Sequence, residues 1–236
     1  MKRTFILTAL MLVALIGTQA QSLDKVLEKH YEATGHKKMA DIETYIIKAK
    51  MSMMGMEMPM NITMKAPDKF KIEVDMMGQK TVQAYDGEKG WMINPMMGSG
   101  IQDLEGDQLQ QAMEQADMEG ELYDYKKKGH SAELIGKVNA DGVEAYRIKF
   151  TSKDGSVKNY FIDAKTYLIS KMKAKIEAQG QTVDIETRMV EYQNIDGIQM
   201  AKKTEVILPM GTQTIIMEEI KLNEKVDDSV FARPAN

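Results

Sequence analysis

The chain has no cysteine. That excludes disulfides, thiolate metal sites, cysteine nucleophiles and a lipid-modified cysteine at an export cleavage site. Histidine is also sparse: His30, His36 and His130 are scattered and form no His-Glu-x-x-His arrangement. Each reads as ordinary, with His30 partly exposed on a helix, His36 in the loop that follows it and His130 just before a strand. No Gly-x-Ser-x-Gly elbow and no phosphate-cradling glycine loop occurs. Ser22-Leu-Asp-Lys25 and Ser170-Lys-Met-Lys173 match Ser-x-x-Lys only by letters. The first reads as a helix cap and the second as strand. These absences predict a protein that is not an enzyme and needs no cofactor or metal. Proline is rare, with five in the chain, and no Pro/Ser-rich linker divides it. One domain is therefore expected over residues 21–236. There is no excess of positive charge, the formal balance being −4, which argues against nucleic acid as a partner.

The only long apolar run, Phe5 to Ile16, is too short to span a bilayer comfortably. It follows Met1-Lys2-Arg3 and leads into Gly17-Thr-Gln-Ala20, the pattern of a secretory signal peptide cut after Ala20. Removing Lys2 and Arg3 leaves 29 basic against 35 acidic residues, near −6. The expectation is a soluble, monomeric protein in the periplasm.

Most of the remaining sequence alternates with period two. Tyr45, Ile47, Ala49, Met51 and Met53 fall on one face, against Lys48, Lys50 and Ser52. Met56, Met58, Met60, Ile62 and Met64 form a second apolar set; Phe70, Ile72, Val74 and Met76 form a third. One buried and one wet face suits antiparallel sheet. Met54-Gly55, Asp86-Gly87, Asp141-Gly142, Asp154-Gly155, Gln179-Gly180 and Asp196-Gly197 mark turns between such runs. Later strands read Tyr146/Ile148/Phe150, Tyr160/Ile162, Leu168/Met172/Ile176, Val183/Ile185/Met189 and Met200/Val206/Leu208. Thr214 to Leu222 has a blurred phase and no assignable face. Two helical signals interrupt this pattern. Ser22 caps a helix whose Leu23, Val26, Leu27 and Tyr31 share a face and which Gly35 stops. Asp107, with Gln110 three residues on, caps a second one carrying Leu109, Ala112, Met113 and Ala116. A mainly β fold is predicted: ten or more antiparallel strands in a strongly curved sheet, or half-barrel, plugged by helices, with residues 103–128 as a helical lid.

Methionine is the abundant residue. Twenty of the 22 lie beyond Ala20, and 12 of them fall between Met51 and Met97, against five Phe and one Trp in the whole chain. Three uses compete. Methionine fills cores, although Leu, Ile and Val specify them better. It also makes a yielding wall for a variable apolar ligand. Its thioether suits Cu(I), and Met51-Ser-Met-Met-Gly-Met-Glu-Met-Pro-Met60 looks like a copper run, but it holds no histidine. The wall is preferred. Its expected lining is Tyr45, Ile47, Met51, Met53, Met56, Met58, Met60, Met64, Phe70, Ile72, Val74, Trp91, Ile93, Leu109 and Met113. Trp91 and Ile93 share one face, which is expected to be the concave one. A further alternative is an envelope-stress sensing domain whose partner is another protein, for which the Lys/Glu-rich outer strand faces offer little apolar surface.

Four stretches resemble the LolA-like, outer-membrane lipoprotein-sorting family, in particular its exported Bacteroidetes-type members. They are Leu27-Glu-Lys-His-Tyr-Glu-Ala-Thr-Gly35, Ala84-Tyr-Asp-Gly-Glu-Lys-Gly-Trp-Met-Ile-Asn-Pro95, Tyr160-Phe-Ile-Asp-Ala-Lys-Thr-Tyr-Leu-Ile169 and Asp227-Asp-Ser-Val-Phe231. The resemblance implies a half-barrel closed by helices around a cavity for lipoprotein acyl chains. It also implies a non-catalytic carrier or sensor that could meet an envelope membrane protein. Better-known carriers hold the lid helices shut with an arginine. No counterpart is found here, since Arg147, Arg188 and Arg233 are the only arginines beyond the signal and none lies in the first strands.

Overall fold

The computed structural model describes residues 21–96, 98, 100–178 and 181–235; the signal-peptide expectation and the Gln179-Gly180 turn lie outside them. Leu23–Thr34 forms helix α1, capped by Ser22, whose hydroxyl accepts from the Lys25 amide, and ended by Gly35 at φ 74°. Gly35 also opens the short helix α2, His36–Met39. Six strands follow: β1 (Thr44–Met53), β2 (Met56–Lys65), β3 (Lys69–Met76), β4 (Gln79–Tyr85), β5 (Gly90–Ile93) and β6 (Ile101–Asp103). Helix α3 covers Gly106–Gln115. Its N-cap is Glu105 rather than the expected Asp107, which sits in the first turn, where a carboxylate still complements the helix dipole. Among the described residues seven more strands follow: β7 (Ser131–Ala140), β8 (Val143–Thr151), β9 (Val157–Asp163), β10 (Ile169–Ala178), β11 (Gln181–Ile195), β12 (Ile198–Leu208) and β13 (Gly211–Leu222). A 3-10 turn at Asp228–Val230 lies in the C-terminal tail.

All thirteen strands join one antiparallel sheet in the order β6-β5-β4-β3-β2-β1-β13-β12-β11-β10-β9-β8-β7. It is two meanders joined where the last strand pairs with the first. The sheet stays open, with β6 and β7 as its edges.

Strand register defines one face that carries the helices. Tyr45 faces Met64 and Leu222, Phe70 faces Tyr85, and Ile148 faces Tyr160. Helix α1 lays Val26 and Leu27 on Tyr146, Ile148, Phe150, Tyr160 and Ile162. Helix α3 lays Ala112 and Ala116 on Phe70, Tyr85 and Leu104. Each large side chain buried in these contacts contributes about 1.5–3 kcal/mol. The sheet must bend for both sets to meet. Glu114 of α3 reaches Lys158 of β9 at 3.1 Å, although β9 stands eight strand spacings from β4. In a flat sheet that would be about 38 Å, against a helix about 10–12 Å across. The helix-bearing face is therefore the hollow of a curled sheet.

The blurred phase of the last strand has a local cause. Lys48 pairs with Glu219, but Ala49 pairs with Met217, so Glu218 is an extra residue. This bulge lets Ile215 and Met217 on one side of it, and Ile220 and Leu222 on the other, all face inward.

Two histidines differ from expectation. His30 is buried, and its Nδ1 donates to the Tyr167 carbonyl at 2.8 Å. His36 is helical and buried, with its ring stacked on Tyr123 at 3.7 Å between centroids. Their surroundings come from residues about ninety to 140 positions away, which local pattern does not reveal.

Candidate functional site

The hollow of the sheet carries a continuous methionine and aliphatic wall. Direct cross-strand pairs place Met51 opposite Met58, Met53 opposite Met56, Ala49 opposite Met60 and Tyr45 opposite Met64. Ile62 and Met64 continue onto Ile72 and Phe70, and Met60 onto Val74. Tyr45, Ile47, Met58, Met60 and Phe70 are buried, whereas Met51, Met53, Met64, Ile72 and Val74 are half-buried and Met56 is exposed. Leu109 of α3 packs on the Phe70–Tyr85 cluster, and Met113 of the same helix is exposed.

A second part of the wall escaped the sequence reading. Met200, Ile215, Met217, Ile220 and Leu222 pack against the Tyr45–Ile47–Met60 cluster, as does Met118 from the segment after α3. All are half-buried. Met200 sat in a legible strand, but Ile215, Met217, Ile220 and Leu222 lie where the phase is blurred, and the side of the sheet they take depends on the bulged pairing of β13 with the distant β1. An apolar face that is only half-buried on the inner side of a curled sheet is a wall without a complete filling.

Trp91 and Ile93 correct the expectation. Register pairs them with Ala84 and Val82, on the face opposite Phe70 and Tyr85. They are apolar there because the C-terminal tail covers that outer face. Trp91 Nε1 donates to the Phe231 carbonyl at 2.8 Å, and Phe231 is fully buried. Lys65 and Lys69 hold Asp228 at 2.6 and 2.9 Å, and these two ammonium groups hold the Asp228 carboxyl down to about 2.

Polar groups in the hollow are few. The Tyr45 hydroxyl is buried without a hydrogen-bond partner, and burial pushes it up to about 12. Lys158 is more heavily engaged. It binds Glu121 at 2.8 Å and Glu114 at 3.1 Å, and the Tyr160 hydroxyl donates to Glu121. Burial opposes the charge on Lys158, but Glu121 and Glu114 outweigh it and raise its pKa. This cluster ties α3 and the following segment to β9. Its members are too far apart in sequence for any motif to show them.

A cavity of about 960 Å³ opens elsewhere, between α1, α2, residues 123–127 and the β11–β12 turn. Tyr31, His36, Tyr123 and Tyr125, with the aliphatic Leu27, give it a mainly aromatic lining, with Asp24, Glu28, Lys37, Lys38 and Lys126 around them. None of the expected wall residues lines it. His36 Nε2 is buried there without a partner; burial, then the charges of His30 and Lys128, brings its pKa down to about 4. Tyr31 cannot serve as a base, because its hydroxyl donates to the Leu122 carbonyl and burial raises it further. Among the described residues no three His, Asp or Glu side chains converge on a possible metal position. No helix among them is long and apolar enough to cross a membrane.

A scan of protein-family models and a search of curated proteins both give no match to this sequence. Solved structures do match. A DUF1329 family protein from Desulfovibrio piger superposes with a TM-score of 0.62 at 15% identity, covering 88% of this chain and 97% of that one. A LolA superfamily protein from Nitrosomonas europaea gives 0.61 at 13% identity, over 91% and 99%. A putative outer membrane lipoprotein-sorting protein domain from Vibrio parahaemolyticus gives 0.58 at 10% identity, over 87% and 97%. The chain has the LolA-like fold: an open, curled antiparallel sheet with helices in its hollow.

Proposed function

We propose that this protein is an exported, non-catalytic carrier or sensor that holds acyl chains of lipid or lipoprotein against the methionine wall. The observation that carries this reading is the half-buried state of Met51, Met53, Met64, Met200, Ile215 and Met217 on the inner face. Thioether side chains are unbranched and adapt to irregular apolar partners. Each methylene withdrawn from water there contributes about 0.8 kcal/mol, so a dozen supply on the order of 10 kcal/mol before ordering costs. Fold likeness to a LolA superfamily protein and to a putative outer membrane lipoprotein-sorting protein domain supports a role with lipoproteins.

The test is native mass spectrometry and lipid extraction on protein purified without detergent, followed by uptake of a fluorescent fatty acid. Bound lipid or saturable uptake is expected. Protein with neither would end the carrier reading. The cross-strand pairs Met51/Met58 and Met53/Met56 also gather four thioethers, which favours Cu(I) as the second reading. A Cu(I) titration against a bicinchoninate competitor separates the two. Tight binding lost in a Met56→Leu, Met58→Leu, Met60→Leu variant supports copper; unchanged lipid uptake in that variant supports an apolar lining.

A further inference from the structure

The two rims of the sheet are built from the same turns with opposite chemistry. Met54-Gly55, Met77-Gly78, Asp141-Gly142 and Asp196-Gly197 are all two-residue hairpin turns. Their first residues have φ of 52°, 58°, 55° and 51°, and their glycines 80°, 85°, 89° and 89°. Such left-handed positions favour Asn, Asp and Gly, whose short or absent side chains tolerate them. The rim where β7–β8 and β11–β12 turn meets that demand with aspartate. The rim where β1–β2 and β3–β4 turn places methionine in the same backbone slot, at a conformational cost.

These methionines are also left in water. Met54, Met77, Met96 and Met210 are 73%, 92%, 77% and 65% exposed, and no other large hydrophobic among the described residues exceeds 50%. Met210 lies in the β12–β13 turn and Met96 follows β5, and antiparallel order brings all four to the same rim. The tip residues Met54-Gly55, Met77-Gly78, Pro95-Met96 and Pro209-Met210 carry no charge. They spread over eight neighbouring strands, roughly 34 Å at the usual spacing. Further round the same rim, the β8–β9 turn is charged, with Lys153 and Asp154. Just inside the apolar half lie Met51, Met53 and Met56 of the inner wall.

We propose that this methionine rim is a membrane-docking edge, which dips its hairpin tips into the interfacial layer of a lipid bilayer. A soft, uncharged, unbranched side chain suits the disordered boundary between headgroups and acyl chains, where an apolar edge sinks about 5–10 Å. The rim continues into the inner wall, so a docked protein offers an acyl chain an apolar path from bilayer to hollow. A single copper ion is a poorer fit. The four tips stand in a row about two strand spacings apart, roughly 29 Å from end to end, so no more than a neighbouring pair of thioethers could share one metal. The proposal builds on the carrier reading but has its own readout.

The experiment uses protein purified after export and vesicles of phosphatidylethanolamine and phosphatidylglycerol in a flotation assay. The wild type is compared with a Met54→Asp, Met77→Asp, Met96→Gln, Met210→Asp variant. At positions 54 and 77 aspartate reproduces the turn chemistry of the opposite rim, and positions 96 and 210 are exposed, so thermal stability should be unchanged or higher. The variant should lose roughly tenfold or more in vesicle partitioning while taking up a fluorescent fatty acid from solution as before. A Met77→Trp variant should show emission quenched by brominated lipid. Wild-type protein that stays off vesicles, or a variant that floats equally well, overturns the docking edge. Tight Cu(I) binding lost in the variant with flotation unchanged also overturns it and assigns the tips to metal. Intact flotation with no fatty-acid uptake by the wild type would instead sink the carrier reading and leave the docking edge standing.

Discussion

Trp91 and Phe231 are joined across 140 residues of sequence by a buried hydrogen bond, 2.8 Å from indole nitrogen to backbone carbonyl, on the outer face of the sheet. The chain's sole tryptophan therefore reports the C-terminal tail and not the hollow. Phe231→Ala should destabilise the fold by about 3 kcal/mol, the usual cost of emptying a buried phenylalanine site, and should shift Trp91 emission to the red. Saturating the wild type with a fatty acid should leave that emission nearly unchanged. Urea unfolding and steady-state fluorescence check both parts.

Lys158 holds α3 and the segment behind it to β9 through Glu114 and Glu121. Removing it leaves two carboxylates close together and partly out of water. Lys158→Met should cost about 1–3 kcal/mol. Hydrogen exchange over residues 106–128 should rise by more than exchange in the strands, with faster uptake of a fluorescent fatty acid. Equal acceleration everywhere would mean that the segment is an ordinary part of the core.

His36 makes the fold acid-sensitive. Its pKa is 6.5 when unfolded and about 4 when folded, lowered first by burial. The unfolded chain binds the proton more readily between those values, so stability is full above pH 6.5 and falls as the pH drops towards 4. A shift of that size is worth roughly 3 kcal/mol. His36→Phe keeps the stacking on Tyr123 and removes the orphaned nitrogen. Denaturation midpoints at pH 7 and 4.5 should lie closer together in that variant. His30, also lowered by burial, retains a share of the same dependence.

Gly35 and Gly197 meet where the α1–α2 junction touches the β11–β12 turn. A Cβ on Gly35 would collide with the Gly197 carbonyl oxygen, whereas the nearest atoms to one on Gly197 belong to the flexible end of Lys38. Both glycines have positive φ. Gly35→Ala should therefore cost about 2 kcal/mol or more and Gly197→Ala about 1 kcal/mol. Thermal melts of the two variants decide whether that order holds.

Met51→Glu introduces a charge on the half-buried inner wall, at the place where it faces Met58. Stability should change by less than about 1 kcal/mol because water reaches the site. Affinity for a fluorescent fatty acid should drop by roughly tenfold or more, since a carboxylate in the binding path must be desolvated. Unchanged affinity would place the ligand elsewhere, with the aromatic cavity beside His36 as the next candidate.

The β architecture was legible because its signals are local. Tyr45-Ile-Ile-Lys-Ala-Lys-Met51 alternates, Ser22 and Gly35 bracket α1, and Asp-Gly or Met-Gly punctuates the hairpins. Phase failed where a bulge reset it, at Glu218 in β13, and side assignment failed at Trp91. Alternation shows that two residues share a face but not which face. Val82 and Ala84 on one side of β4 and Tyr85 on the other are all buried, so β5 had no local cue to its side.

Composition and periodicity alone determined that this chain would be a cysteine-free antiparallel β protein, with methionines concentrated on one strand face and helices left to cover part of it. Covalent order carries that information, because hairpin turns and alternating burial are set within a few residues. Only the tertiary structure decided that β13 closes onto β1, that the sheet curls until Glu114 and Lys158 touch, and that Trp91 lies beneath the C-terminal tail. Those contacts join residues 44 to about 180 positions apart. They are selected by the joint fit of many strands and not by any short run of sequence.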